Sequence, residues 1–202
     1  GTLEMRGTDR SGASMTTVSQ YAQPTGGGAL VAVGSTGARP TIAYDTGDGH
    51  NHWHLGTAAR YSLWNAGKSA EVAPAMKAGF CLEDSERRGT SGPTSAVYTN
   101  GAVQFCRKDQ PAATDVYMGI SAGWRDLYHR LLAYQWVDVS DVQPGTYWVA
   151  AEVDPNNVIA ETSETNNVRA FSREQSTVPG YLARAVDAGD LPAGQASTIT
   201  LA

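Results

Sequence analysis

Long apolar runs are missing from this chain. No stretch approaches the ~20 apolar residues a membrane-spanning helix needs, so no membrane span is expected. Cysteine is scarce. Cys81 and Cys106 are the whole complement in 202 residues, which excludes a disulfide-dense scaffold and any CxxC redox or zinc motif. The pair has two readings. A bridge would close a loop of about 25 residues and stabilise by about 3 kcal/mol in the chain-entropy picture; two reduced core thiols are the alternative. Positive charge is in deficit, with 15 Lys and Arg against 20 Asp and Glu and a net charge of −5. That balance argues against a nucleic-acid partner, which needs a basic stripe. It fits mild steering of cationic partners such as lysine side chains. Lysine is itself rare: Lys68, Lys77 and Lys108 are the full set.

What is present points to β structure. There are 22 glycines, and short apolar runs are separated by turn clusters. Strands are expected at residues 15–21, 29–33, 41–45, 61–64, 102–106, 136–139, 146–153 and 168–171. Residues 72–82 carry Lys77. Pro144-Gly145 marks a turn, and Asp154-Pro155-Asn156-Asn157 reads as a hairpin turn between 149–153 and 158–161. Leu127, Leu131 and Leu132 give residues 124–134 a weak helical period. The expected fold class is all-β, a β-sandwich of short antiparallel strands joined by long loops. Residues 1–172 read as one domain and 173–202 as a C-terminal extension.

The densest chemical signal is His50-Asn51-His52-Trp53-His54, which holds three of the four histidines. On an extended strand side chains alternate faces, so three imidazoles at i, i+2 and i+4 point the same way. Each can give a neutral nitrogen lone pair to one ion, with a coordination position left for solvent or substrate. A helix would splay the same residues apart. An accidental surface chelator is the bland alternative, but this run is internal and carries a tryptophan between two ligands. All-imidazole ligation suits copper or zinc, with copper(II) the tighter binder in the Irving–Williams order.

Several further stretches resemble the lysyl oxidase family. The alternating histidines are similar to its copper-binding run. Lys77-Ala78-Gly79-Phe80-Cys81-Leu82-Glu83-Asp84 resembles the segment that carries its cofactor lysine. Gly123-Trp124-Arg125-Asp126-Leu127-Tyr128 is similar to the segment that carries its cofactor tyrosine. Gln135-Trp136-Val137-Asp138-Val139-Ser140-Asp141-Val142-Gln143-Pro144-Gly145 and Glu161-Thr162-Ser163-Glu164-Thr165-Asn166-Asn167 match other stretches typical of it. The resemblance runs over roughly residues 45–170, in the family's order.

The resemblance implies that His50, His52 and His54 are copper(II) ligands, and that Lys77 and Tyr128 join as lysine tyrosylquinone. It implies oxidative deamination of primary amines by O₂. The substrate would be peptidyl lysine in a peptide or protein, or a small primary amine. The products would be an aldehyde, ammonia and hydrogen peroxide. It also implies a secreted protein. Asp126, two residues before Tyr128, is the first candidate for the base that takes the substrate proton; Asp84 and His129 follow. Glu161, Asn166 and Asn167 resemble half of a calcium site in some relatives, or else shape a turn through side-chain hydrogen bonds.

There are departures. The animal enzymes have many more cysteines. Trp124 and Tyr134 stand where those enzymes place a disulfide, and aromatic packing is expected in its place. The family also has strands before the point where this chain starts. The chain opens on Gly1 without a signal-peptide pattern, so a mature, trimmed or partial chain is the expectation. Two readings compete with the enzyme: a copper-binding module without quinone chemistry, and an adhesion-type β-sandwich. Zinc in the histidine site would give an unprocessed precursor.

Overall fold

The computed structural model describes residues 1–24, 26–34, 39–47, 49–56, 58–75, 79–99, 105–128, 132, 134, 136–163, 170–171 and 176–178. Among these the chain forms strands β1 (Leu3–Ser11), β2 (Ser14–Ala22), β3 (Val31–Val33), β4 (Ile42–Asp45), β5 (His52–Gly56), β6 (Ala59–Trp64), β7 (Glu71–Pro74), β8 (Gly79–Phe80), β9 (Glu86–Arg87), β10 (Asp115–Ile120), β11 (Trp124–Arg125), β12 (Gly145–Val153), β13 (Ala170–Phe171) and β14 (Ser176–Val178). The described residues contain no helix, and the named strands pair antiparallel, so the all-β class holds. Two compact units result: residues 1–58, 79–127 and 156–164, and residues 59–78, 128–155 and 165–202.

The first unit is built on a sheet of order β10-β1-β2-β4-β5-β8, with β3 also pairing β2. Its core comes from alternation. Met5 on β1, Met15 on β2, Ile42 on β4, Trp53 and Leu55 on β5, and Val116 and Met118 on β10 are all buried. Each large apolar side chain taken from water contributes roughly 1.5–3 kcal/mol.

The hairpin of β1 and β2 fills a region where a single strand, at 15–21, was expected. The reason lies in how its polar side chains are used. Glu4 is buried, pairs with Arg6 and accepts a hydrogen bond from Tyr98 Oη at 2.8 Å. The Arg6 guanidinium lies 3.9 Å from the centre of the Tyr21 ring. Charges neutralised and stacked in this way can sit on a strand that polarity alone argues against. Strand β10 likewise lies where no strand was expected.

Three other expectations change. The turn at 154–157 is present, with Asp154 and Asn157 in the left-handed region (φ 45° and 52°). Residues 158–161, however, are not a strand. Instead the Gln20 side chain acts as the pairing partner: its Nε2 donates to Ala160 O and its Oε1 accepts from Ala160 N, both at 2.8 Å. Within the expected strand at 102–106, Phe105 bridges Tyr117 and Cys106 turns at φ 41°; residues 102–104 lie outside the described residues. The helical period of 124–134 is not realised in its described part, which begins with the short strand β11.

The second unit centres on β6, flanked by β7 and β12, with β13 and β14 both pairing β12. Leu63, Ala73, Val139 and Val142 form its core, with Val137, Tyr147 and Val149 packed against them. On its surface Lys68 Nζ lies 3.9 Å from the Trp148 ring centre and 5.0 Å from that of Phe171.

One buried carboxylate organises the loops of the first unit. Asp84 is 5% exposed and accepts from Val97 N (2.8 Å), Tyr98 N (3.2 Å), Ser121 N (2.7 Å) and Ser121 Oγ (2.7 Å). Removing it would leave buried donors without an acceptor, each at about 1–3 kcal/mol. Asp84→Ala is therefore expected to destabilise the protein by at least about 3 kcal/mol. A urea melt checks this, and a midpoint equal to the wild type would refute the role.

Candidate metal centre

Trp53 sets the direction of the histidines. It is fully buried, stacks edge-on with Tyr44 at 5.6 Å and donates from Nε1 to Gln110 O at 3.0 Å. Because strand side chains alternate, a buried Trp53 turns its neighbours His52 and His54 to the other face of β5. The backbone of this stretch is clamped by the turn after Cys106. Trp53 N donates to Cys106 O (2.9 Å) and Asp109 N to Asn51 O (2.7 Å). Tyr44 Oη also donates to Asn51 O, at 2.9 Å.

His50 arrives differently from expectation. It precedes β5, and Asn51 lies in the left-handed region at φ 52°, so the run is not one continuous strand. Asparagine tolerates that conformation better than most residues. The bend still delivers His50 to the cluster. One ligand atom from each of His50, His52 and His54 lies within 4.8 Å of the others. Ring centroids are 5.3 Å apart for His50–His52 and 4.5 Å for His52–His54. His54 is buried, while His50 and His52 are half-buried. Three neutral imidazoles converging with one side toward solvent fit copper or zinc with an open position.

Small and acidic neighbours frame His54. A Cβ on Gly79 of β8 would come within 3.0 Å of the His54 Cβ, so only glycine leaves the imidazole its place. Asp45 on β4 stands opposite His52 in the ladder, and its Oδ2 is 3.5 Å from His54 Nδ1. Asp45 was not singled out in the sequence, nor was Glu83. Burial, with the like charge of Asp84, raises the Glu83 carboxyl above its ordinary range, and His50 pulls it back down.

The remaining candidates fall as follows. Asp126 Oδ1 accepts from Ser85 Oγ at 3.0 Å, and Oδ2 from Glu83 N at 3.4 Å. Tyr128 is half-buried. Lys77, His129, Asn166 and Asn167 lie outside the described residues, and Glu161 is exposed. Cys81 and Cys106 form a disulfide, which resolves the two readings of that pair. Trp124 Nε1 donates to Pro93 O at 2.9 Å, and Tyr134 packs on Trp136 at 5.1 Å between centroids.

An antiparallel β protein with a three-histidine centre at the end of one sheet is the class these features define. The lysyl oxidase family pattern matches residues 29–176. The chain belongs to that family. Human lysyl oxidase homolog 1 is 32% identical over 131 residues, covering 64% of this chain and 20% of that protein. Protein-lysine 6-oxidase of Rattus norvegicus is 33% identical over 132 residues, covering 65% of this chain and 28% of that protein. For the Sus scrofa protein of the same name the identity is 32% over 132 residues, with 65% and 47% covered. The chain thus spans less than half the length of each of these relatives.

Proposed function

We propose that this chain is the catalytic part of a copper-dependent amine oxidase that converts the side-chain amine of peptidyl lysine to an aldehyde. The observation that carries the reading is the convergence of His50, His52 and His54 within 4.8 Å, inside the segment that matches the family. The donor set fits the ion. Neutral imidazoles suit copper(II), and no thiol competes, because both cysteines are bridged. Bound there, copper would supply the redox chemistry that turns Tyr128 and Lys77 into the quinone cofactor, which in turn accepts electrons from the amine.

The chain's own residues do the rest. The three histidines hold the ion, and Trp53 anchors the strand that carries two of them. Asp84 locks the backbone on the C-terminal side of the cofactor lysine's segment. Asp126 is the proposed acceptor of the substrate proton, its carboxylate held by Ser85 Oγ and the Glu83 backbone N–H. Glu161, Asn166 and Asn167 would form part of a calcium site, or else shape a turn through side-chain hydrogen bonds. Residues 1–172 would constitute the catalytic body, with 173–202 an extension. The disulfide supports an oxidising compartment, and so a secreted protein.

Incubation with copper(II) and oxygen, followed by peptide mass spectrometry, tests the reading. A covalent Lys77–Tyr128 peptide pair is expected in the wild type and not in His52→Ala. A chain that binds copper but never forms the link would be a metal-binding module instead.

A further inference from the structure

The acidic residue beside the histidines is not placed there by chance geometry alone. Asp45 ends β4, directly across the ladder from His52, so its side chain falls on the face that carries His52 and His54. One of its oxygens is already fixed: Oδ1 accepts from Gly47 N at 2.8 Å, closing a turn on the carboxylate itself. Its Oδ2 lies 3.5 Å from Nδ1 of His54, on a side chain that is half exposed. The imidazole is confined on its other side. It is 6% exposed, and Gly79 of β8 leaves room for it only by lacking a Cβ.

We propose that Asp45 is the positioning residue of the metal centre: its Oδ2 takes the Nδ1–H of His54 and thereby presents the Nε2 lone pair to the ion. The inference rests on the copper reading above and deepens it. A ring nitrogen bonded to a carboxylate fixes both the tautomer and the ring plane, and makes the opposite nitrogen a stronger donor. Asp45 acts through His54 and is not itself a ligand. The one buried histidine of the three is the one so oriented, which makes it the fixed arm against which half-buried His50 and His52 close.

The measurement is copper(II) affinity by competition with a calibrated chelator, on the whole chain, with the copper EPR spectrum recorded in parallel. Asp45→Ala is expected to lose about 10- to 100-fold in affinity, with a changed EPR hyperfine pattern. Asp45→Asn keeps an acceptor without the charge and is expected to fall in between. The deciding step is a double-mutant cycle. In a His54→Ala background Asp45→Ala should cost no further affinity, while in a His50→Ala background it should cost as much as in the wild type. Equal losses in both backgrounds would overturn the proposal, because a direct ligand or a general negative charge acts without His54. Unchanged affinity and EPR in Asp45→Ala would overturn it too. Failure of the underlying reading is separately visible, since wild-type protein would then bind no copper at all.

Discussion

Replacing His52 with alanine is expected to weaken copper(II) binding by more than about a hundredfold, beyond the range typical for loss of a supporting residue. His52 is the middle residue of the cluster, with ring centroids 5.3 Å from His50 and 4.5 Å from His54. Its removal leaves two imidazoles flanking an empty position, and a two-ligand site gives up both a bond and the convergence of the other two. The fold should survive, because His52 is half-buried and the strand is anchored by Trp53 from the opposite face. Chelator competition measures the affinity, and tryptophan fluorescence reports the integrity of the Trp53 environment. Wild-type affinity in the variant would remove the three-histidine site from consideration.

The second large effect concerns the disulfide. Substituting both cysteines, Cys81→Ser with Cys106→Ser, is expected to cost about 3 kcal/mol from the closure of a 25-residue separation. For a chain of this size that is roughly a 10 °C fall in Tm. The damage should not stay local to stability. Cys106 O accepts the backbone N–H of Trp53, between two of the metal ligands, and Cys81 directly follows β8, which packs Gly79 against His54. The same bridge therefore braces β5 from two directions. Copper affinity of the doubly substituted protein should fall several-fold at temperatures where it is still folded. Calorimetry and chelator competition on the same sample separate the two effects. A Tm within a degree of the wild type would show that the bridge constrains nothing in the unfolded chain.

How far the sequence carried these conclusions depends on the kind of signal. The histidines were legible because three ligands of one type at alternate strand positions are arranged to share one ion, and the cluster forms. The path to it was not legible: only the backbone shows that Asn51 turns left-handed and that His50 stands outside β5. Strands with apolar alternation, such as 14–22 and 145–153, were found nearly to their ends. Strand β1 was hidden because Glu4 and Arg6 look like surface residues until their partners Tyr98 and Tyr21 are in place, 94 and 15 residues away. The expected strand at 158–161 failed for a related reason, since a side-chain amide can satisfy a backbone N–H and C=O as a neighbouring strand would. Asp45 carries no motif at all. Its proximity to His54 depends on the register of β4 against β5, which no local pattern encodes.

The stacking of Lys68 on Trp148 has a bearing on self-damage. Under the proposed function, an enzyme that oxidises lysine amines is always in the presence of one source of them, its own surface. This chain carries its positive charge almost wholly on arginine, whose guanidinium has no primary amine to lose, and keeps three lysines among its 15 basic residues. Lys77 is the lysine proposed for the cofactor, and the ammonium of exposed Lys68 lies over one aromatic face. Lys108, exposed on the turn after Cys106 with no ring over it among the described residues, would be the amine more open to such self-oxidation.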